Sequence, residues 1–197
     1  MTNRPPQTNP YVATDIIIEH YNGKKDGLVL ITRKNPPYGI AIPGGFAEMG
    51  LSLPQNAIKE ALEETSLEVI LENPRSAPPS VREASRARDV ADEYGGCPFL
   101  FSALTPEDKI EPNPFLIRSD PGRDVRAQIL SVAYLGRGYG KLKANDDAKT
   151  AGLYTLGELV DLLGKKKFAF DHESIIKCYL NYRGQFGPIA IRDAWSG

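Results

Sequence analysis

Residues 43–67 read PGGFAEMGLSLPQNAIKEALEETSL, and the second half of that stretch predicts a helix from about Pro54 to Ser66. Proline fits the first turn of a helix because no backbone donor is lost there. On a wheel of about 100° per residue with Glu60 at zero, Glu64 lies at about 40° and Glu63 at about −60°, so three carboxylates share one face. Ile58, Ala61 and Leu62 fall between about 100° and 200°, and this opposite face is expected to pack on the core. Glu60 with Glu64, and Glu64 with Glu68, are like charges four residues apart, which destabilise an isolated helix by roughly a few tenths of a kcal/mol per pair. A hard divalent cation compensates such a cluster, because Mg²⁺ prefers oxygen ligands and leaves positions open for substrate phosphates. A solvated acidic face explains the helix alone equally well. The loop before it shifts the balance: Gly44-Gly45 lets the backbone approach a ligand closely, and Glu48 adds an acid just upstream.

Working outward, residues 12–19 (VATDIIIE) and 28–33 read as strands joined by the turn 21–27 (YNGKKDG), which is rich in residues that tolerate positive φ. Residues 40–42 lead from the break at Pro36-Pro37-Tyr38-Gly39 into the Pro-Gly-Gly turn. Beyond the helix, 71–114 is polar and punctuated by prolines at 74, 78, 79, 98, 106, 112 and 114, too long for a plain connection, and it reads as an insertion. Within it SVRE at 80–83 has the spacing of a capping box and predicts one short helix. QILSVAYLG at 128–136 is the most strand-like run, 152–156 is a shorter strand, and helices are expected at 156–163 and 173–183, the second capped by Asp171. Strands, a helix, then further strands and helices predict an α/β fold with a mixed sheet between helices. The expected organisation is a flexible arm at 1–10, one domain at 11–183 carrying the insertion at 71–114, and a C-terminal tail at 184–197.

The 197 residues suit one domain with something added, and the 41% hydrophobic and 25% charged fractions are globular values. A net charge of −1 argues against a broad basic surface for nucleic acid. Cys97 and Cys178 stand far apart and beside no second metal ligand, so they predict buried thiols in a reducing compartment rather than a disulfide or a zinc site. MTNRPPQTNP lacks an apolar leader core, and no run approaches the roughly 20 apolar residues of a membrane span. A soluble, cytoplasmic protein without membrane or nucleic-acid partners is expected.

The segment 45–67 resembles the box of the Nudix hydrolases, G-x5-E-x7-R-E-U-x-E-E-x-G-U with U an aliphatic residue. Gly45, Glu60, Glu63, Glu64 and Leu67 match, and Ala61 matches loosely. Leu51 stands for the first Glu, Lys59 for Arg and Ser66 for the helix-ending Gly, with the spacing intact. The resemblance implies the Nudix fold. It also implies Glu60, Glu63 and Glu64 as catalytic residues that ligate metal together with the backbone of Gly44. Mg²⁺ is the implied ion, with Mn²⁺ an alternative.

RKNPP at 33–37, PGGF at 43–46, SDPGRD at 119–124, NDDA at 145–148 and FDH at 170–172 resemble the ADP-ribose pyrophosphatase branch of that family. They imply a nucleoside diphosphate linked to a sugar, cut for ADP-ribose into AMP and ribose 5-phosphate, by a homodimer. Arg33, Gly45, Phe46, Arg118 and Arg123 are the expected substrate contacts. Each has a plainer reading: surface arginines are usually solvated, Asp171 a helix cap, His172 a first-turn residue, and Asp146 and Asp147 turn formers. Glu48, Glu83, Glu93 and Asp147 remain open as the general base, and Arg82, Arg86 and Arg88 as nucleotide or subunit contacts. Two alternatives stand beside this: a Nudix hydrolase for another nucleotide, such as a nucleoside triphosphate or nucleotide sugar, and a non-catalytic ligand sensor.

Overall fold

The computed structural model describes residues 9–74, 112–146 and 148–186. The expected helix after Ser80, with Arg82, Glu83, Arg86, Arg88, Glu93 and Cys97, lies outside the described residues, as do Asp147 and most of the arm and tail. The chain divides into two compact units, Met1–Pro74 with Pro112–Gly197, and Arg75–Glu111.

The strands of the first unit are β1 (Tyr11–Tyr21), β2 (Asp26–Arg33), β3 (Ile40–Ala41), β4 (Gly44–Phe46), β5 (Glu68–Glu72), β6 (Leu116–Arg118), β7 (Ile129–Tyr139) and β8 (Ala148–Tyr154). They join one mixed sheet with the order β3-β2-β1-β7-β5, to which β4, β6 and β8 add through β1, β7 and β2. The helices are α1 (Leu53–Thr65), α2 (Leu156–Leu162) and α3 (His172–Phe186). β5 runs through Glu72, so the first two residues assigned to the insertion belong to the sheet, paired with β7. Cys178, expected to be buried, is exposed on α3, because the helix turns Ile175, Ile176 and Tyr179 to the core instead.

The isoleucines of β1 explain the layering. Strand side chains alternate between faces, and a strand buried on both sides must be apolar throughout. Ile17 packs with Leu28, Leu135, Ile175, Ile176 and Tyr179, on the side of α2 and α3. Ile16 and Ile18 pack with Ala57, Ala61, Leu67, Val132 and Tyr134, on the side of α1. All three are 0% exposed, and each such side chain contributes about 1.5–3 kcal/mol by leaving water. The charges flanking this run are buried as well. Glu19 accepts from the Tyr179 hydroxyl at 2.6 Å and pairs with Arg183 at 2.7 Å, which fastens α3 to β1.

β1 runs parallel to β7 along its length and changes its other neighbour midway. Near its end it pairs with β2, and near its start with β4, in the register Ala13↔Phe46, Thr14↔Gly45 and Asp15↔Gly44. The strand that carries the core thus also holds the Gly-Gly turn in place.

Candidate active site

Helix α1 begins with a cap that the sequence reading missed. The Ser52 side chain accepts from the Gln55 amide while the Gln55 side chain accepts from the Ser52 amide, with Pro54 in the first turn, so two exposed donors are satisfied reciprocally. The helix ends at Ser66, whose φ of 59° is left-handed. Serine therefore makes the stop that the family pattern gives to glycine. The buried side of α1 differs from the expected one: Ala57, Ala61, Glu64 and Thr65 are covered, whereas Ile58 is 36% and Leu62 50% exposed. The helix is rolled toward its acidic edge, which carries Glu64 inside.

Glu64 is 3% exposed and accepts a 2.9 Å hydrogen bond from the Gly44 amide. Glu60 lies against the next glycine. A Cβ built on Gly45 would stand 2.4 Å from Glu60 Oε1, and one on Gly44 would stand 2.4 Å from the Thr14 carbonyl oxygen. Gly44 is therefore demanded by close approach of backbone, whereas a side chain at Gly45 would displace the end of the Glu60 side chain. Burial pushes the Glu60 carboxyl up to about 7, with Lys59 opposing and Glu63 and Glu48 reinforcing the rise. Glu63 is taken by Lys59 at 2.6 Å, and the same ammonium reaches Glu48 at 2.9 Å. Among the described residues no three histidine, cysteine or acidic side chains converge closely enough, as they stand, to coordinate one ion. The donor chemistry nonetheless fits a hard cation: three carboxylates and a turn carbonyl on one wall are oxygen ligands of the kind Mg²⁺ takes. Glu63, held by Lys59 and 39% exposed, is the member with room to turn.

These groups line one cavity of about 520 Å³ together with Asp15, Arg33, Phe46, Arg123, Arg126, Asp146, Phe170 and His172. Leu51 and Arg118 are not in its lining. Arg118, expected to contact substrate, donates instead to Asp171 Oδ2 at 2.7 Å, and Arg123 donates to Asp171 Oδ1 at 2.6 Å. The Asp171 carboxylate thus serves two arginines rather than capping α3. Burial alone would raise its pKa, but the bonds from Arg123 and Arg118 hold it below the usual carboxylate value.

His172 and Asp15 sit beneath the turn. The His172 ring is 3% exposed, and its Nδ1 accepts from the Ile42 amide at 3.1 Å, which assigns the proton to Nε2, 3.5 Å from Asp15 Oδ1. Burial lowers its pKa, so the ring is neutral and engaged on both sides. Asp15 also accepts from Ser131. No local pattern signals this cluster, because Asp15 lies more than 100 positions from each of its three partners, Arg123, Ser131 and His172.

Sequence reasoning also missed Arg126. Its guanidinium is held by Asp124 at 2.8 Å and lies 5.3 Å from the centre of the Phe46 ring and 4.9 Å from that of Phe170. Arg33 lies 5.0 Å from the centre of the same Phe170 ring. Planar cations over aromatic faces attract electrostatically, and together these side chains make one flat-sided wall of the cavity.

The family model described as NUDIX domain matches residues 10–122. A curated relative, the ADP-ribose pyrophosphatase of Methanocaldococcus jannaschii, is 33% identical over 178 residues, spanning 89% of this chain and 76% of that protein. Among solved structures, a MutT/nudix family protein from Enterococcus faecalis superposes with a TM-score of 0.60 at 24% identity, over 93% of this chain and 66% of that one. The NUDIX domain of Shewanella oneidensis NrtR, solved in complex with ADP ribose, gives 0.59 at 16% identity over 91% and 93%. These two likenesses concern the fold. The family model covers more than half of the chain and the curated relative aligns with most of it, and on that ground the chain belongs to the Nudix hydrolase family.

Proposed function

We propose that this protein hydrolyses the pyrophosphate bond of ADP-ribose, giving AMP and ribose 5-phosphate, with Mg²⁺ as its cofactor. The observation that carries the reading is the shared cavity: Glu60, Glu63 and Glu64 line it with the Gly44-Gly45 turn, and the Phe46, Arg126 and Phe170 wall lines it too. Its volume of about 520 Å³ is that of an ordinary small-molecule site. The one-third identity to an ADP-ribose pyrophosphatase supports the substrate.

In this reading Glu60, Glu63, Glu64 and the Gly44 carbonyl would hold the ion, which when bound neutralises diphosphate charge and activates water. The chain's own residues do the remaining work. The Gly44 amide orients Glu64, and Gly45 makes room for Glu60. Arg33 and Arg123, both in the cavity wall, supply positive charge toward phosphate oxygens, Arg123 from a position fixed by Asp171. Phe46 offers a flat apolar face to the base or sugar. Arg118 acts through Asp171 rather than on substrate. A homodimer and a cytoplasmic site of action belong to the same reading, the first tested by sedimentation equilibrium.

The deciding experiment is Mg²⁺-dependent product release across ADP-ribose, nucleotide sugars, dinucleotides and nucleoside triphosphates. AMP from ADP-ribose at the highest kcat/KM is expected. Cleavage of another compound with ADP-ribose untouched would remove the substrate, and tight ADP-ribose binding without any cleavage would make the protein a sensor.

A further inference from the structure

The family pattern places an acid at position 51 and an arginine at 59, and this chain has Leu51 and Lys59. Leu51 is 37% exposed and outside the cavity lining. A different carboxylate reaches the box cation. Lys59 Nζ stands 2.9 Å from Glu48 and 2.6 Å from Glu63, so one ammonium spans two acids, one of them in the set that would hold the ion.

Glu48 is brought there by built structure. The Leu51 amide donates to the Glu48 carbonyl at 3.3 Å, and Gly50 at the third position of this turn has φ 89°, the left-handed value that favours glycine there. The Glu48 amide donates to Asn56 Oδ1 at 3.1 Å. Asn56 is 0% exposed, and its Nδ2 donates to Thr14 Oγ1 at 2.8 Å and to the Phe46 carbonyl at 3.2 Å. A fully engaged buried amide thus pins the backbone from which Glu48 reaches Lys59.

An ammonium on Glu63 competes with a divalent cation for the same oxygens. Lysine is a compact charge on a flexible stem with rotatable donors, unlike the fixed fork of arginine, and can pass from one acid to the other. With Lys59 33% and the Glu48 side chain 51% exposed, the exchange costs little, because solvated ion pairs are weak. We infer that Glu48 is the alternative partner that draws Lys59 away from Glu63, so that Glu63 can ligate a divalent cation. Glu48 is on this account a positioning residue, and its pairing with Lys59 replaces the acid and arginine of the family pattern. The inference rests on the proposed metal assignment but not on the substrate.

The test is a double-mutant cycle read by Mn²⁺ affinity, from the electron paramagnetic resonance of the free ion. Glu48→Gln should weaken binding by about tenfold or more, the range seen when residues that orient metal ligands are removed, because Lys59 then stays on Glu63. In a Lys59→Met background the same Glu48→Gln change should alter affinity by less than about twofold. A simple loss of negative charge near the ion would instead weaken both backgrounds equally, and that result overturns the inference. Lys59→Gln, which likewise removes the charge, serves in place of Lys59→Met if circular dichroism shows that variant unfolded. Wild-type protein that binds no Mn²⁺ refutes this inference and the metal assignment together. Wild-type protein that binds Mn²⁺ with the expected coupling yet cleaves nothing in the substrate panel refutes the hydrolase reading and leaves the exchange supported.

Discussion

Replacing Gly45 with alanine should disable the site without disturbing the fold. The new Cβ would lie 2.4, 2.5 and 2.7 Å from Oε1, Cδ and Oε2 of Glu60, so the carboxylate must retreat by roughly 1 Å to regain ordinary van der Waals separation. What yields is the far end of a side chain rather than backbone, and Gly45 sits in β4 paired with Thr14 without a left-handed φ. Stability should therefore fall by less than about 1 kcal/mol. A displacement of about 1 Å in a reacting constellation costs on the order of 10²-fold in rate, and this loss should appear in kcat. Circular dichroism melts and Mg²⁺-dependent AMP release from ADP-ribose measure the two quantities. Turnover within about threefold of wild type in a variant that melts normally would show that the position of Glu60 against the turn does not matter to the reaction, and would refute the assignment.

Glu64→Gln keeps an acceptor for the Gly44 amide but removes the charge, and it should cut turnover by about 10²-fold or more while the melting temperature holds; near-normal activity would contradict the metal assignment. Glu60, pushed up to about 7 by burial, must lose its proton to ligate an ion, so Mn²⁺ affinity should be about tenfold weaker at pH 6 than at pH 8, as titrations at the two pH values will read. Asp171 is depressed when folded, so the stability it adds is present above the ordinary aspartate value near ~3.9 and is lost as pH falls through its folded value. Asp171→Asn should flatten that acid-side loss in urea melts, and at neutral pH it should cost about 2 kcal/mol, because Arg123, whose side chain is 4% exposed, loses the nearer of its two carboxylate partners and keeps Asp15 at 3.8 Å.

The architecture is readable where local pattern decides. Three consecutive isoleucines between two acids announce a central strand, and the order of strands and helices implies a mixed sheet between helices. Spacing alone places the acids of α1 on one face, yet it does not set the roll of the helix, because Ile58 and Leu62 are no less apolar than Ala57 and Ala61. Which of them is covered depends on where β1 and the Gly-Gly turn stand. The arginines show the same limit more sharply. Arg118 and Arg123 lie 53 and 48 positions before Asp171, and nothing in their neighbourhoods says that one aspartate will engage both. Arg126 and Asp15 carry no local mark either, since their place in the cavity depends on rings and a histidine distant in the chain. The Ser52 and Gln55 cap, by contrast, is written in the sequence as S-x-x-Q.

The bond from the Ile42 amide to His172 spans 130 positions and links the strand entering the Gly-Gly turn to the first residue of the final helix. During synthesis the turn and all three glutamates leave the ribosome long before that histidine does. A nascent chain stalled before α3 therefore carries every residue of the box without the bond that ties the approach to the turn to that helix.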